Sequence, residues 1–149
     1  MKRLAFCLLF LAACGGDKHG SVSFKDFRIT RAPSELPGGI PAPFKYPGSV
    51  SVLSAVYEPE AFTGSSEGVI ELRSADPAKK IEAYYTEAFK ENGWKIIQSK
   101  QGSAEVLLMA ESAYNEIITV ILRSDKETVI RVYVKRMGRD CLLYTSRCV

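Results

Sequence analysis

The chain has 149 residues, of which 46% are hydrophobic and 25% charged, and this composition is ordinary for one globular domain. Its formal charge of +3 overstates its basicity, because Lys2, Arg3 and Arg147 lie in end segments that we assign to a leader and a foreign tail. Without these three of its 20 basic residues, the chain has as many basic as acidic residues, 17 of each. The charge therefore gives no support to nucleic acid as a partner.

The N-terminal residues follow the order of a secretory leader. Lys2 and Arg3 precede the apolar run Leu4–Leu11, which is too short to span a membrane as a mature helix, and Leu-Ala-Ala then precedes Cys14. This arrangement resembles the lipobox of bacterial lipoproteins, so residues 1–13 are predicted to be a lipoprotein signal peptide. The resemblance implies cleavage before Cys14 and a diacylglycerol on its sulfur. The alternative is an ordinary signal peptide with a chance cysteine.

Acylation of Cys14 predicts a place in a bacterial cell envelope, with the protein held to a membrane by its lipid. Gly15 follows the cysteine, where well-studied enteric bacteria use aspartate to retain lipoproteins in the inner membrane. In a host with two membranes we therefore predict the outer membrane, with the domain facing the periplasm.

Residues 14–45 are predicted to be a tether followed by a proline-rich extended linker. Within them, Ser21–Thr30 alternates polar and apolar side chains, which fits either a weak edge strand or a linker that docks. Five prolines between residues 32 and 47 remove backbone donors and favour an extended chain. We expect Phe44 and Tyr46, near the end of this stretch, to pack onto the core.

The stretch Asp76–Trp94 predicts the helix around which the domain is organised. Asp76 suits the N-cap and Pro77 the first helical position. Apolar residues then recur at helical spacing and form one stripe, and Gly93 can take the left-handed conformation that ends a helix. The stripe consists of Ala78, Ile81, Tyr84, Tyr85, Ala88 and Phe89.

Strand-like segments surround this helix. Two precede it and four follow it, with turns rich in Gly, Ser, Asn and Asp that favour antiparallel hairpins. The predicted fold is therefore α+β, a single helix packed on an antiparallel sheet in the order β-β-α-β-β-β-β, as one domain over residues 46–136. The predicted strands are Val50–Tyr57, Val69–Ser74, Trp94–Ser99, Glu105–Ala110, Glu116–Arg123 and Thr128–Lys135.

A pattern of packing and turn residues runs through this domain. Tyr46-Pro47-Gly48 enters the first strand, Tyr84-Tyr85 lies in the helix, and Gly93-Trp94 follows it. The pattern is similar to that of a group of small bacterial lipoproteins and secreted domains with a YPG…FY…GW signature. The resemblance covers about Tyr46 to Arg136 and implies the same fold. It implies no activity, because none is established for that group, and it assigns no catalytic or binding residue.

The C-terminal tail, residues 137–149, is of a different kind. Its last part, residues 141–149, reads CLLYTSRCV, which resembles the translation of an adapter from transposase-based sequencing libraries. The adapter and its reverse complement account for this whole segment and for a stop codon after it. We therefore predict that residues 141–149 are foreign to the protein, and not a native apolar strand.

The sequence contains no recognised catalytic or metal-binding pattern. Cys7 lies in the leader, Cys14 is the lipid site, and Cys141 and Cys148 lie in the tail, so neither a disulfide nor a thiolate metal site is expected. The sole histidine, His19, lies in the tether, where no scaffold fixes it as a ligand or base. There is no G-x-S-x-G, Gly-rich phosphate loop or zinc spacing. We predict no enzyme activity, catalytic residue, metal or cofactor.

Two strands carry more apolar side chains than one helix can cover. A sheet packed on one face should alternate apolar and polar residues, yet residues 106–109 and 117–122 are nearly continuous apolar runs. If Leu108 and Val120 face the helix, the opposite face of the sheet is apolar too. In the reverse phase, in which their neighbours face the helix, the opposite face again carries exposed apolar residues. We expect the Val22–Ile29 segment, a second subunit or a partner to cover it. In the first phase this predicted partner face contains Leu107, Met109, Ile121 and Tyr133.

The chain is therefore predicted to be a lipid-anchored cell-envelope lipoprotein that works as a non-catalytic binding or assembly module. Its expected partners are a membrane, through the lipid on Cys14, and a protein or a second copy of itself on the apolar face. The alternative is a periplasmic carrier that binds a lipid or another small apolar ligand. An apolar cavity of several hundred Å3 would favour the carrier, and a flat or covered face would favour the assembly module.

Overall fold

One helix packs against one face of an antiparallel sheet of eight strands in our computed structural model, which describes residues 20–59 and 65–137. The strands are β1 Ser21–Phe24, β2 Phe27–Arg31, β3 Val50–Tyr57, β4 Ser66–Ser74, β5 Lys95–Gln101, β6 Glu105–Glu111, β7 Glu116–Ser124 and β8 Thr128–Arg136, and the helix α1 is Ala78–Glu91. The order across the sheet is β1-β2-β3-β4-β8-β7-β6-β5. Strand β8 lies between β4, the last strand before the helix, and β7, and so connects the two groups of strands in one sheet.

The predicted order β-β-α-β-β-β-β was wrong, because two further strands precede the first predicted one. The observed order is β-β-β-β-α-β-β-β-β, and 51% of the described residues lie in strands against 15% in helical segments, so the domain is mainly sheet. β1 and β2 form a hairpin, and β2 pairs with β3 along its whole length. The sequence signal was weak because the turn, Lys25-Asp26, has no glycine or asparagine, although Lys25 takes a positive φ of 51°.

The buried stripe of α1 faces the sheet as its spacing predicts. Ile81, Tyr85, Ala88 and Phe89 are buried, and the other two members of the predicted stripe are partly buried. The predicted helix end is confirmed, because Gly93 takes a φ of 71°, the left-handed conformation that a side chain disfavours.

The prediction for the start of the helix was wrong by one position. Pro77 is the N-cap and no side chain caps the helix, because the Asp76 carboxylate is engaged elsewhere. Asp76 accepts hydrogen bonds from the Tyr46 hydroxyl (2.7 Å) and from Lys80 Nζ (2.9 Å). These two donors, with Lys80 the larger influence, lower the pKa of Asp76. Burial and the neighbouring carboxylate raise the pKa of Tyr46 to about 12.

The hydrophobic core lies between α1 and the face of the sheet that it covers. Alternate residues of the four adjacent strands β4, β8, β7 and β6 point into it, which is the period of two that a strand imposes. Burial of each large aliphatic side chain there contributes about 1.5–3 kcal/mol to folding. The strand residues of this core are Ile70, Leu72, Leu108, Ala110, Ile118, Val120, Leu122, Ile130, Val132 and Val134.

The proline-rich segment closes one side of this core. Phe44 and Tyr46 are buried, which confirms that they pack onto the core. The Phe44 ring lies 5.1 Å from the Phe89 ring between centroids, and the buried Tyr85 hydroxyl donates a hydrogen bond to the Phe44 carbonyl (3.1 Å). A single 3-10 turn, Ala42–Phe44, departs from the extended conformation predicted for this segment and turns Phe44 inward.

Candidate ligand-binding face

The face of the sheet opposite α1, which we call the open face, carries large apolar side chains that remain exposed. Leu108 and Val120 are buried toward the helix, so their neighbours in each strand point to the open face. Five large side chains there keep between 38% and 41% of their surface exposed. The described residues therefore leave this face uncovered. The five are Phe27, Ile29, Leu53, Tyr57 and Tyr133.

The register of the strands aligns uncharged residues in a row across the open face. Each member lies opposite the next one on the neighbouring strand, from β2 through β3, β4, β8 and β7 to β6. Directly opposed side chains lie close enough to form one continuous surface. The row, which we call the central row, consists of Ile29, Ala55, Val69, Tyr133, Thr119 and Met109.

A depression of about 510 Å3 lies on the central row. The small side chains of Ala55, Val69 and Thr119 are partly buried in it, whereas Phe27 and Tyr57 stand out further into solvent. This difference in side-chain size makes a hollow in what would otherwise be a flat sheet. Its volume is within the range of about 300–1,000 Å3 that is typical of small-molecule sites. The full lining is Phe27, Ala55, Tyr57, Glu67, Gly68, Val69, Met109, Ile117, Thr119, Tyr133, Val134 and Lys135.

Two cross-strand ion pairs between β4 and β8 lie on either side of the central row. Lys135 Nζ is 2.8 Å from Glu67 Oε1 on one side, and Arg131 Nε is 3.0 Å from Glu71 Oε2 on the other. The hydrogen bond to Glu71 raises the pKa of Arg131 and so favours its charged form. Because the groups are partly exposed, each pair contributes at most about 1 kcal/mol to stability. Their main effect is to place charged groups on both sides of the uncharged central row.

A second depression, of about 500 Å3, lies beyond the Glu71–Arg131 pair on the same side of the sheet and is much more polar. Three arginines and three acidic residues contribute to it, so their formal charges cancel. Arg73 and Arg123 form no ion pair with any residue that the structure describes. The lining is Glu71, Arg73, Ala104, Glu105, Ile121, Arg123, Ser124, Asp125, Val129 and Arg131.

The four residues of the predicted partner face do lie together on the open face. Met109 and Tyr133 line the apolar depression, Ile121 lines the polar one, and Leu107 lies opposite Ile121 across β6 and β7. Their role in binding a partner stays a prediction. Sequence reasoning missed the small residues of the central row, because nothing in the spacing of β3 and β4 shows that they meet β8 at this level.

One predicted alternative was that the Val22–Ile29 segment covers the open face, and this alternative was wrong. The segment forms β1 and β2 and adds two strands to the edge of the sheet instead. Phe24 pairs with Phe27, which lies opposite Tyr57, so the apolar side chains of the hairpin continue the open face. The segment thus enlarges the exposed apolar surface.

Several predictions fall on residues outside the described part of the chain, namely those on Cys14, on His19 and on residues 141–149. Within residues 20–59 and 65–137, no group of three or more His, Cys, Asp or Glu side chains is placed to hold a metal ion. None of the helices in these two ranges is long and apolar enough to cross a membrane.

Comparison with known proteins gives one similarity. A family model described as START domain-like matches residues 55–127, just under half of the chain. The match runs from β3 to the turn before β8 and therefore includes most of the strands that form the central row. No curated protein and no solved structure matches the chain.

Proposed function

We propose that this protein is a lipid-anchored carrier of the cell envelope, which binds a lipid or another small apolar ligand on the open face without catalysis. The observation that carries the proposal is the depression of about 510 Å3 on the central row. A ligand there gains burial against aromatic and aliphatic side chains, worth about 25 cal/mol for each Å2 of apolar surface removed from water.

The shape and chemistry of the open face both support a carrier over a purely structural module. An assembly interface between rigid surfaces is served by flat, complementary packing, whereas this face is hollow at its centre. The charged residues stand at the borders of the hollow, where an amphiphilic ligand can keep its polar end in water. The similarity of residues 55–127 to START domain-like proteins supports the same class of ligand.

The proposed anchor is the diacylglycerol on Cys14. Six residues separate it from Ser21, the first residue of β1, so the domain would stay close to the membrane surface. Each buried acyl CH₂ contributes about 0.8 kcal/mol, and two or three chains hold a protein on a bilayer durably. A carrier held there can take its ligand from the membrane or deliver it. In a host with two membranes we place it on the periplasmic side of the outer one.

Binding of a fluorescent fatty acid by the purified protein tests the carrier proposal. Ala55 is the variant of choice, because it is small, partly buried in the hollow and outside the hydrophobic core. We expect Ala55→Trp to fill the hollow and abolish the fluorescence gain, while the thermal midpoint of unfolding stays near that of the parent. Ala83→Trp is the matched control, since Ala83 is exposed on α1, and it should bind like the parent.

Two results would contradict the carrier proposal. One is a parent protein that gives no saturable binding of fatty acid, phospholipid or sterol probes. The other is binding that Ala55→Trp and Ala83→Trp leave equally unchanged. Sedimentation of the parent at several concentrations addresses the assembly alternative, because an interface on the open face would make dimers that compete with the probe.

The anchor is tested separately in a bacterial host. Wild-type protein should appear in the membrane fraction with a mass that includes the acyl chains on Cys14. Cys14→Ala should be neither cleaved at this site nor acylated. A Cys14→Ala protein that gives the same processed, membrane-bound species as the wild type would rule out the lipid anchor.

A further inference from the structure

We infer that the β1–β2 hairpin is a membrane-contact element, which inserts its apolar side into the leaflet that carries the lipid anchor. Its side chains are among the most exposed large apolar groups in the described chain: 79% of the surface of Phe24 and 69% of that of Val22 are open to solvent. The inference rests on the anchor of the proposed function. It goes beyond that function by naming a second contact with the membrane.

The hairpin is amphipathic across its thickness. Val22 lies opposite Ile29 and Phe24 opposite Phe27, so four apolar side chains share one face. The other face is polar, with Ser23 opposite Arg28 and Ser21 opposite Thr30. An element with one apolar and one polar, basic face is suited to lie in the boundary between lipid headgroups and acyl chains.

The charge of the hairpin also fits a lipid surface. Lys25 lies at the turn, Arg28 on the polar face and Arg31 at the end of β2, against one acidic residue of the hairpin, Asp26. Glu58 lies near the turn as well, since its backbone N–H donates to the Asp26 carbonyl (2.9 Å). The hairpin itself keeps an excess of two positive charges. Anionic headgroups attract such residues when they lie within a Debye length of the surface.

The position of the hairpin in the chain brings it to the bilayer. The seven residue-to-residue steps from Cys14 to Ser21 span at most about 25 Å when fully extended, so an acyl anchor on Cys14 holds the start of β1 within that distance of the membrane. Ser21 is the first residue of the hairpin, and no other described element is as near to Cys14 in sequence. The membrane is therefore the occupant for which the exposed apolar face is best placed.

Insertion of this hairpin would also bring the hollow to the membrane. Phe27 belongs to the apolar face of the hairpin and lines the depression on the central row, and Tyr57 lies opposite it on β3. The apolar surface is thus continuous from the tip of the hairpin to the hollow. A ligand could pass between the leaflet and the hollow along this surface with little exposure to water.

Tryptophan fluorescence of the full-length, acylated protein on vesicles tests the inference. Vesicles of phosphatidylcholine with phosphatidylglycerol are prepared with and without brominated acyl chains, which quench an indole only at close range. Phe24→Trp places the reporter on the apolar face, and Ser23→Trp, one residue away, is the matched control on the polar face. The parent, with Trp94 alone, supplies the background common to both variants.

We expect the emission that Phe24→Trp adds to shift to the blue on vesicles and to be largely lost on those with brominated chains. The emission that Ser23→Trp adds should stay at the wavelength of an indole in water and resist quenching. Equal quenching of the two variants, or none in either, would overturn the inference. Both positions are exposed, so the thermal midpoint of each variant should match that of the parent.

Sedimentation with the vesicles separates this inference from the proposed function. A parent that sediments and binds the fluorescent fatty acid, with no selective quenching at position 24, overturns the membrane role of the hairpin alone. A parent that does not sediment overturns the anchor and, with it, the inference. Loss of fatty-acid binding together with selective quenching at position 24 overturns the carrier and leaves the hairpin contact standing.

Discussion

The helix-facing side and the open face are two surfaces of the same strands, yet only the first is closed by other parts of the described chain. On the helix side, α1 and the proline-rich segment bury every large strand residue of the core. On the open face, residues as large as Phe27 and Tyr133 keep more than a third of their surface exposed. Side chains one position apart in a strand thus meet very different surroundings.

This difference separates what folds the domain from what the domain offers to other molecules. The helix-facing side offsets the conformational entropy that the chain loses on folding, because its apolar surface is removed from water. Apolar surface on the open face gives little of this stabilisation until something covers it. Exposed patches of this kind usually mark sites for lipids, ligands or other proteins. Substitutions on the two faces should therefore differ in what they damage.

The largest expected contrast is between Phe89→Ala and Tyr133→Ala. Phe89 is fully buried between α1 and the sheet, so its truncation leaves a cavity and should cost about 3–5 kcal/mol of unfolding free energy. Tyr133 is 38% exposed, and its truncation should cost about 1 kcal/mol or less while it weakens fatty-acid binding. Urea denaturation with fluorescence detection measures the unfolding free energy of both variants. Equal losses of stability would mean that the open face is part of the folding core.

A smaller effect is expected for the aromatic residue that follows the helix. Trp94 is only partly buried, and its ring lies edge-on to Phe44 at 5.5 Å between centroids. Trp94→Ala should therefore destabilise the protein by less than Phe89→Ala does, at about 1–3 kcal/mol. Thermal unfolding followed by circular dichroism is suitable, because the variant loses its fluorescent reporter. A loss larger than that of Phe89→Ala would contradict this ranking.

The hydrogen bonds that Asp76 accepts from Tyr46 and Lys80 should make the stability of the fold sensitive to acid. Because its folded pKa is lowered, Asp76 contributes stability at a pH above its unfolded pKa of about 3.9, and that stability is lost as the pH falls through the folded pKa. Asp76→Asn should therefore flatten the dependence of the urea midpoint on pH below about pH 4. Glu87→Gln, on the exposed side of α1, is the control and should keep the parent curve. A parent and an Asp76→Asn variant with parallel curves would contradict this assignment.

The smallest expected effect is that of removing residues 141–149. If this segment is translated adapter sequence, its deletion should leave both the thermal midpoint and fatty-acid binding unchanged. The comparison is made on otherwise identical chains that end at Asp140 and at Val149. A marked loss of stability on deletion would show that the tail belongs to the fold.

The sequence was sufficient to predict those helices and strands whose periodicity and end residues lie within the element itself. The apolar stripe of α1, its end at Gly93 and the strands that follow depend on periodicity and turn residues, and the structure confirms them. The surplus of apolar residues in β6 and β7 could also be recognised, because it violates the alternation that a one-sided sheet requires. Sequence alone therefore indicated that a second apolar face exists.

Only the tertiary structure decided how far that face extends and what shape it has. The β1–β2 hairpin has a turn without glycine or asparagine, and its pairing with β3 depends on residues more than 20 positions away. The hollow depends on register, since Ala55, Val69 and Thr119 become neighbours of Tyr133 only when β3, β4, β8 and β7 align. Even the start of α1 was set by a distant group, because the Tyr46 hydroxyl engages the Asp76 carboxylate. Pattern within a segment fixes which of its sides is apolar, but contact between segments determines what that side can bind.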